Sequence, residues 1–197
     1  MEKLIKALLK DRNFSLAMNY AIKKHNGIYR ACGVPYIYHP VRTFANLSHY
    51  YDDIKDNDLL TSALLHDTLE DTDATEKELA YLFGDEVKGI VKELTNPIKH
   101  NFIKKGEFLA KNIPNFSEDA LSIKLADRYD NLTTLYPFSH TKQIRYIIET
   151  EKILYSLKSS KRATNDAQNH LIYNLYDKLD EFNPPIYHLK EDNEKTK

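Results

Sequence analysis

The sequence predicts an all-α helical bundle, and three observations carry that reading. The 197 residues hold only five glycines. No stretch alternates apolar and polar residues long enough to make a half-buried strand. Apolar residues recur instead at i, i+3 and i+4, the spacing that gives a helix one buried face.

Leu4, Leu8 and Leu9 predict a short first helix. Asn13 opens a second, with Phe14, Ala17, Met18, Ala21 and Ile22 on one side, and Gly27 stops it. Residues 29–40 form a loop punctuated by Gly33, Pro35 and Pro40. A helix follows over 41–50, with Pro40 at its first turn. Asn57 or Asp58 caps the next, which carries Leu59, Leu60, Ala63 and Leu64. Thr75 with Glu78 is a capping-box signature for a helix ending at Gly84, and 85–94 forms another. Residues 97–115 are polar and basic and contain Gly106 and Pro114, so they read as a mobile insertion. Ser117 with Asp119 opens a long apolar helix through Leu121, Ile123, Leu125 and Leu132. Amphipathic segments at 139–157 and 164–182 complete the bundle. One domain is expected over 1–185, followed by a charged, disordered tail at 186–197.

Net charge is −1, which leaves no global basic field for nucleic acid. The apolar runs are too short to cross a bilayer, and the lysine-rich start lacks the pattern of a secretory signal. A single cysteine, Cys32, excludes an internal disulfide and a multi-cysteine zinc site, and fits a reducing, cytoplasmic setting.

Ionisable groups crowd most densely at 63–72, ALLHDTLEDT. If the segment is helical, His66 stacks on Glu70 and Asp67 on Asp71, placing four such groups on adjoining faces. Burying several acids together without a cation is costly, so the cluster points to a metal and a charged substrate. Two further patches contribute. PYIYHP at 35–40 sets His39 where a rigid loop meets a helix start, and KLADRYDNLTT at 124–134 sets Asp127, Asn131 and Thr134 on one helical face. His39, His66, Asp67 and Asp127 make a mixed nitrogen–oxygen site for a divalent first-row metal. Carboxylates suit Mn²⁺, and imidazole also tolerates Fe²⁺ or Zn²⁺. Such a metal lowers the pKa of bound water from 15.7 to roughly 7. Glu70 and Asp71, beside it, can orient that water or move its proton. A lone histidine or an isolated His-Asp pair is commonplace in structural roles; three such patches in order are not.

On these residues the chain resembles the HD-domain metal-dependent phosphohydrolases, and among them the (p)ppGpp hydrolase domain of the RelA/SpoT family. HDTLEDT matches that group's narrower HD-x-x-ED signature. PYIYHP, FGDEV at 83–87, ELTN at 93–96 and KLADRYDNL at 124–132 match in the same order. The resemblance covers about residues 25–135 and looks like a stand-alone small alarmone hydrolase. It implies an HD-domain bundle in which His39, His66, Asp67 and Asp127 bind the metal, usually Mn²⁺, and Glu70 and Asp71 are the catalytic acids. It also implies that Asn131 and Thr134 contact the nucleotide and that Arg30 lies against the guanine base. Lys124 and Arg128 are candidate electrostatic partners of the phosphates.

The chain departs from the family pattern at Ala31-Cys32, where relatives carry lysine and serine, and at Asp130, where histidine or tyrosine is common. Asp130 is expected to face solvent. The loop change leaves two alternatives open. One is a hydrolase of another phosphorylated nucleotide, such as a 2′-phosphate dinucleotide or a nucleoside monophosphate; the other is a non-catalytic alarmone-binding module. The expected partner is a small-molecule nucleotide, with an oligomer left open. His25, His49, His100, His140, His170 and His188 read as surface groups, Cys32 as no nucleophile, and tyrosines such as Tyr146, Tyr155, Tyr173 and Tyr176 as core and interface.

Overall fold

A computed structural model of the chain describes residues 12–31, 33–51, 57–98 and 102–182. Its helices are α1 (Arg12–Lys24), α2 (Tyr38–Leu47), α3 (Asn57–Leu65), α4 (Thr68–Asp71), α5 (Glu76–Leu94), α6 (Phe102–Asn112), α7 (Glu118–Thr133), α8 (His140–Ser160) and α9 (Asp166–Phe182), with a 3₁₀ turn at Ile113–Asn115. Among the described residues no sheet forms; Tyr29 and Pro35 make an isolated antiparallel bridge. The helix expected around Leu4, the charged tail, Cys32, His100 and His188 lie outside the described residues.

Helix α7 is the axis of the bundle. Ser117 starts it by accepting the Ala120 N–H, as its cap position predicts. Nearly every side chain from Ala120 to Leu132 is buried, because α9, α2, α5, α3 and α8 all pack around it. A helix walled in this way cannot keep a polar face for water, so its charged residues must find partners inside the protein. Helix α3 buries every residue from Leu59 to Leu65. Helix α1 packs on α3, and its Phe14 meets Phe44 of α2 edge-on at 5.6 Å.

Thr75 and Glu78 form the predicted capping box at the head of α5. As expected, two helical stretches meet at Gly84: α5 is broken by a sharp kink there, where Gly84 takes the non-helical angles φ 91° and ψ 169°. That backbone geometry is open to glycine and costly for other residues.

Residues 102–112 are not a mobile insertion but a helix, α6, docked on α8. The glycine that suggested a loop permits the docking. A Cβ at Gly106 would lie 2.9 Å from Glu149 Cγ, so the missing side chain sets the distance between the helices. Arg162 then fastens the 3₁₀ turn by donating to the carbonyl oxygens of Pro114 (3.1 Å) and Phe116.

Helix α2 starts at Tyr38 rather than 41, with Pro40 in its first turn. The loop before it is tight: the Arg30 N–H donates to Val34 O at 2.9 Å, and Gly33 turns the chain at φ 76°. Arg30 is thereby aimed at the C-terminal end of α7. No described helix is long and apolar enough to cross a membrane.

Candidate metal centre and the cleft around it

Three elements bring the predicted ligands together. His39 comes from the first turn of α2, His66 and Asp67 from the break between α3 and α4, and Asp127 from the middle of α7. The segment 63–72 is not one continuous helix: α3 ends at Leu65, and Asp67 (φ −97°, ψ −3°) precedes α4. Thr68 secures the break by donating its hydroxyl proton to Leu65 O at 2.7 Å.

One ligand atom each from His39, His66 and Asp127 lies within 4.8 Å of the others, and all three residues are buried. His39 Nε2 is 3.0 Å from Asp127 Oδ1 and 3.4 Å from Asp67 Oδ2. His66 Nε2 is 3.0 Å from Asp67 Oδ2 and 3.9 Å from Asp127 Oδ1. His66 Nδ1 lies 2.9 Å from Ala63 O, and a carbonyl can only accept, so Nδ1 carries the proton. His66 Nε2 therefore faces carboxylate oxygens, and that buried nitrogen has no hydrogen-bond partner. A shared cation resolves this arrangement, and the donor set suits a divalent first-row metal.

The electrostatics agree. Burial disfavours an imidazolium at His39, but Asp127, Asp130 and Asp67 outweigh it and raise its pKa to about 10. Burial would also push the Asp127 carboxyl up, yet Lys124 and His39 hold it well below the usual carboxylate range. Asp67 is lowered in the same way by His66 and His39. The field that favours a proton on His39 favours a metal cation equally.

A cleft of about 300 Å³, the lower end for ligand pockets, opens above this cluster. Glu70, Asp71, Arg30, Lys124, Arg128 and Asn131 line it. Glu70 accepts the Asn96 N–H at 2.9 Å and is paired with Lys105 of α6. Asp71 opens onto the rim; protein packed around it and the Asp67 charge raise its carboxyl to about 6. Lys124, buried but held cationic by Asp127, donates to Asp127 Oδ2 at 2.9 Å. Arg128 donates to Glu149 at 3.1 Å.

Thr134 does not line the cleft. It lies behind Arg30, accepting that guanidinium at 2.6 Å and donating to Asp130 O at 2.8 Å. Asn131 accepts from Arg30 at 2.7 Å and donates to Asp127 Oδ1 at 2.6 Å. Asp130 does not face solvent: it is 2% exposed and contacts His39, because α2 covers that side of α7. His25, read as a surface group, is buried against Tyr36. Tyr146 lines the cleft, whereas Tyr155 and Tyr173 are exposed.

Sequence reasoning missed Tyr36, whose hydroxyl donates to Asp67 Oδ2 at 2.7 Å. Its place three residues before His39, one helical turn away, was the available signal. It also missed Lys105 and the α8 residues Lys142, Arg145 and Tyr146, which reach the cleft only because α6 and α8 pack as they do.

The HD-domain family profile matches residues 17–162. The GTP pyrophosphokinase rsh of Brucella abortus is 36% identical over 158 residues, which are 77% of this chain but 20% of that protein. This chain thus spans about a fifth of that relative's length. Human guanosine-3′,5′-bis(diphosphate) 3′-pyrophosphohydrolase MESH1 is 32% identical over 162 residues, 79% of this chain and 90% of its own. A solved structure of a metazoan ortholog of SpoT that hydrolyzes ppGpp superposes with a TM-score of 0.74 at 30% identity, covering 87% of this chain and 95% of the other. With the profile spanning most of the bundle and the His-His-Asp cluster lying inside it, the chain belongs to the HD-domain family.

Proposed function

We propose that this chain hydrolyses the 3′-diphosphate of a guanosine alarmone, (p)ppGpp, releasing pyrophosphate and leaving GDP or GTP. The observation that carries the reading is one cleft holding a buried His39–His66–Asp127 cluster and, beside it, a second acidic pair, Glu70 and Asp71. Similarity to MESH1 over 90% of that protein supports it.

His39, His66, Asp67 and Asp127 are the proposed ligands and Mn²⁺ the proposed cation, in a cytoplasmic protein. A divalent cation there supplies Lewis acidity, which polarises a phosphoryl oxygen and acidifies water near neutral pH. The residues of the chain do the rest. Asp71 and Glu70 orient the attacking water and take up its proton as its oxygen bonds to phosphorus. The bond from that phosphorus to O3′ breaks, and O3′ takes the proton that the acid pair received from the water. Glu70 is held for this role from both sides, by the Asn96 N–H and the Lys105 ammonium. Lys124 and Arg128 offer positive charge to the phosphates. Arg30 gives one N–H each to Asn131 and Thr134, which fixes its guanidinium plane so that a flat face can lie against a base.

Ala31 on the cleft wall favours a second reading, hydrolysis of another phosphorylated nucleotide, because it offers no group to a ribose or phosphate. Turnover of a nucleotide panel by purified, Mn²⁺-loaded protein separates the two. Pyrophosphate release from (p)ppGpp is expected; orthophosphate from a preferred substrate of another kind overturns the proposal. Tight binding of (p)ppGpp without turnover would make the chain a binding module instead.

A further inference from the structure

We infer that Asp130 is a positioning residue for the metal centre: its carboxylate orients the His39 ring, and Arg42 and Arg30 hold that carboxylate in place. The inference rests on the proposed ligand set and adds to it the group that prepares one ligand.

Asp130 Oδ2 lies 2.6 Å from His39 Nδ1, on the far side of the ring from the ligand cluster. At neutral pH this carboxylate accepts, so Nδ1 carries a proton and donates it. A cation at the cluster then takes the place of the proton on Nε2, on the side where Asp127 Oδ1 waits at 3.0 Å. His66 is set by the same logic with a weaker acceptor, the Ala63 carbonyl at 2.9 Å. The two imidazoles thus present Nε2 to one point, one fixed by a backbone carbonyl and the other by an ionised side chain. An anionic acceptor makes the ring more electron-rich and its hydrogen bond stronger, which raises the affinity of the opposite nitrogen for a cation.

The carboxylate is itself immobilised. Arg42, on the same helix as His39 and one turn along, donates to both oxygens of Asp130: Nε to Oδ1 at 2.5 Å, and one terminal nitrogen to Oδ2 at 3.2 Å. The Arg30 guanidinium approaches Oδ2 at 3.6 Å. A buried carboxylate this close to Asp127 on the same helix would otherwise add uncompensated negative charge. Two guanidiniums and one imidazole N–H answer it. Asp130 reaches no cleft surface, and its oxygens turn away from the acids that handle water, so its influence on the reaction passes through His39.

The test measures Mn²⁺ affinity by calorimetry on the whole chain, with circular dichroism and thermal melting in chelator to monitor folding. Asp130→Ala is expected to weaken Mn²⁺ binding about 10- to 100-fold. Asp130→Asn, which keeps an acceptor but loses the charge, falls between it and wild type. Arg42→Gln, altering a residue one-third exposed, weakens binding several-fold with the fold intact. Wild-type Mn²⁺ affinity in folded Asp130→Ala overturns the inference. If Asp130→Ala does not fold, unchanged affinity in both Asp130→Asn and Arg42→Gln overturns it equally. A wild-type chain that binds no Mn²⁺ overturns the ligand set, and this inference with it; Asp127→Ala losing binding while the Asp130 variants keep it overturns this inference alone.

Discussion

Glu70 and Asp67 stand three residues apart in one short segment, yet their environments assign them different work. Asp67 lies between two imidazoles, with Oδ2 taking the Tyr36 hydroxyl proton. Glu70 has no imidazole beside it and instead holds an amide and an ammonium. Asp67→Ala is therefore expected to lose Mn²⁺ binding and turnover together. Glu70→Gln, nearly isosteric, is expected to bind Mn²⁺ normally while kcat falls by roughly 10²- to 10⁴-fold, the span of general acid–base catalysis. Calorimetry beside steady-state kinetics checks the pair; full kcat in Glu70→Gln removes it from the mechanism. His39, His66, Asp67 and Asp127 could be proposed from the sequence because three short patches fall in order and match a family pattern. The place of Asp130 could not be read in this way. Its burial is decided by α2, 91 residues earlier in the chain, and no local pattern reports such a contact.

Helix boundaries were largely legible for local reasons, since a cap acts within one turn. The Thr75–Glu78 box is the clearest case, and Thr75→Ala is expected to cost about 1 kcal/mol in urea unfolding. Glu78 adds a pH dependence. The Thr75 N–H and the Lys24 ammonium lower its carboxyl below the ordinary 4.5. A carboxyl depressed in the folded state contributes stability above its ordinary value and loses it as pH falls through the lowered one. The stability gap between wild type and Glu78→Gln should accordingly be largest near neutral pH and close in acid. Helix α6 was illegible because Gly106 reads as a breaker when its partner helix is unseen. Gly106→Ala makes the point testable. The substitution gains about 1 kcal/mol of helix propensity, and overpacking against Glu149 costs about 1–3 kcal/mol. Stability should fall by up to about 2 kcal/mol, and because Glu149 must move and release Arg128, the nucleotide KM rises. A melting temperature and KM both at wild-type values would show that the contact is slack.

The proposed ligands come from α2, from the α3–α4 break and from α7, so a bound cation ties together three elements distant in sequence. The axis that carries Asp127 is also buried along nearly its whole length, which makes the site and the core one body. A ligand that binds the folded chain and not the unfolded one stabilises it in proportion to RT ln(1 + [L]/Kd), about 2.7 kcal/mol at a hundredfold excess over Kd. For a domain of this size that is a rise of roughly 5–10 °C in melting temperature. Mn²⁺ should therefore raise the melting temperature of the wild-type chain, and chelator should return it. In Asp127→Ala the rise should vanish, because no other described element supplies a second cluster of this kind. Glu70→Gln should keep the full rise, since Glu70 closes the cleft without linking those elements. A wild-type melting curve indifferent to Mn²⁺ would mean that the three elements are held by packing alone, and that His66 Nε2 faces its carboxylates for some purpose other than sharing a cation.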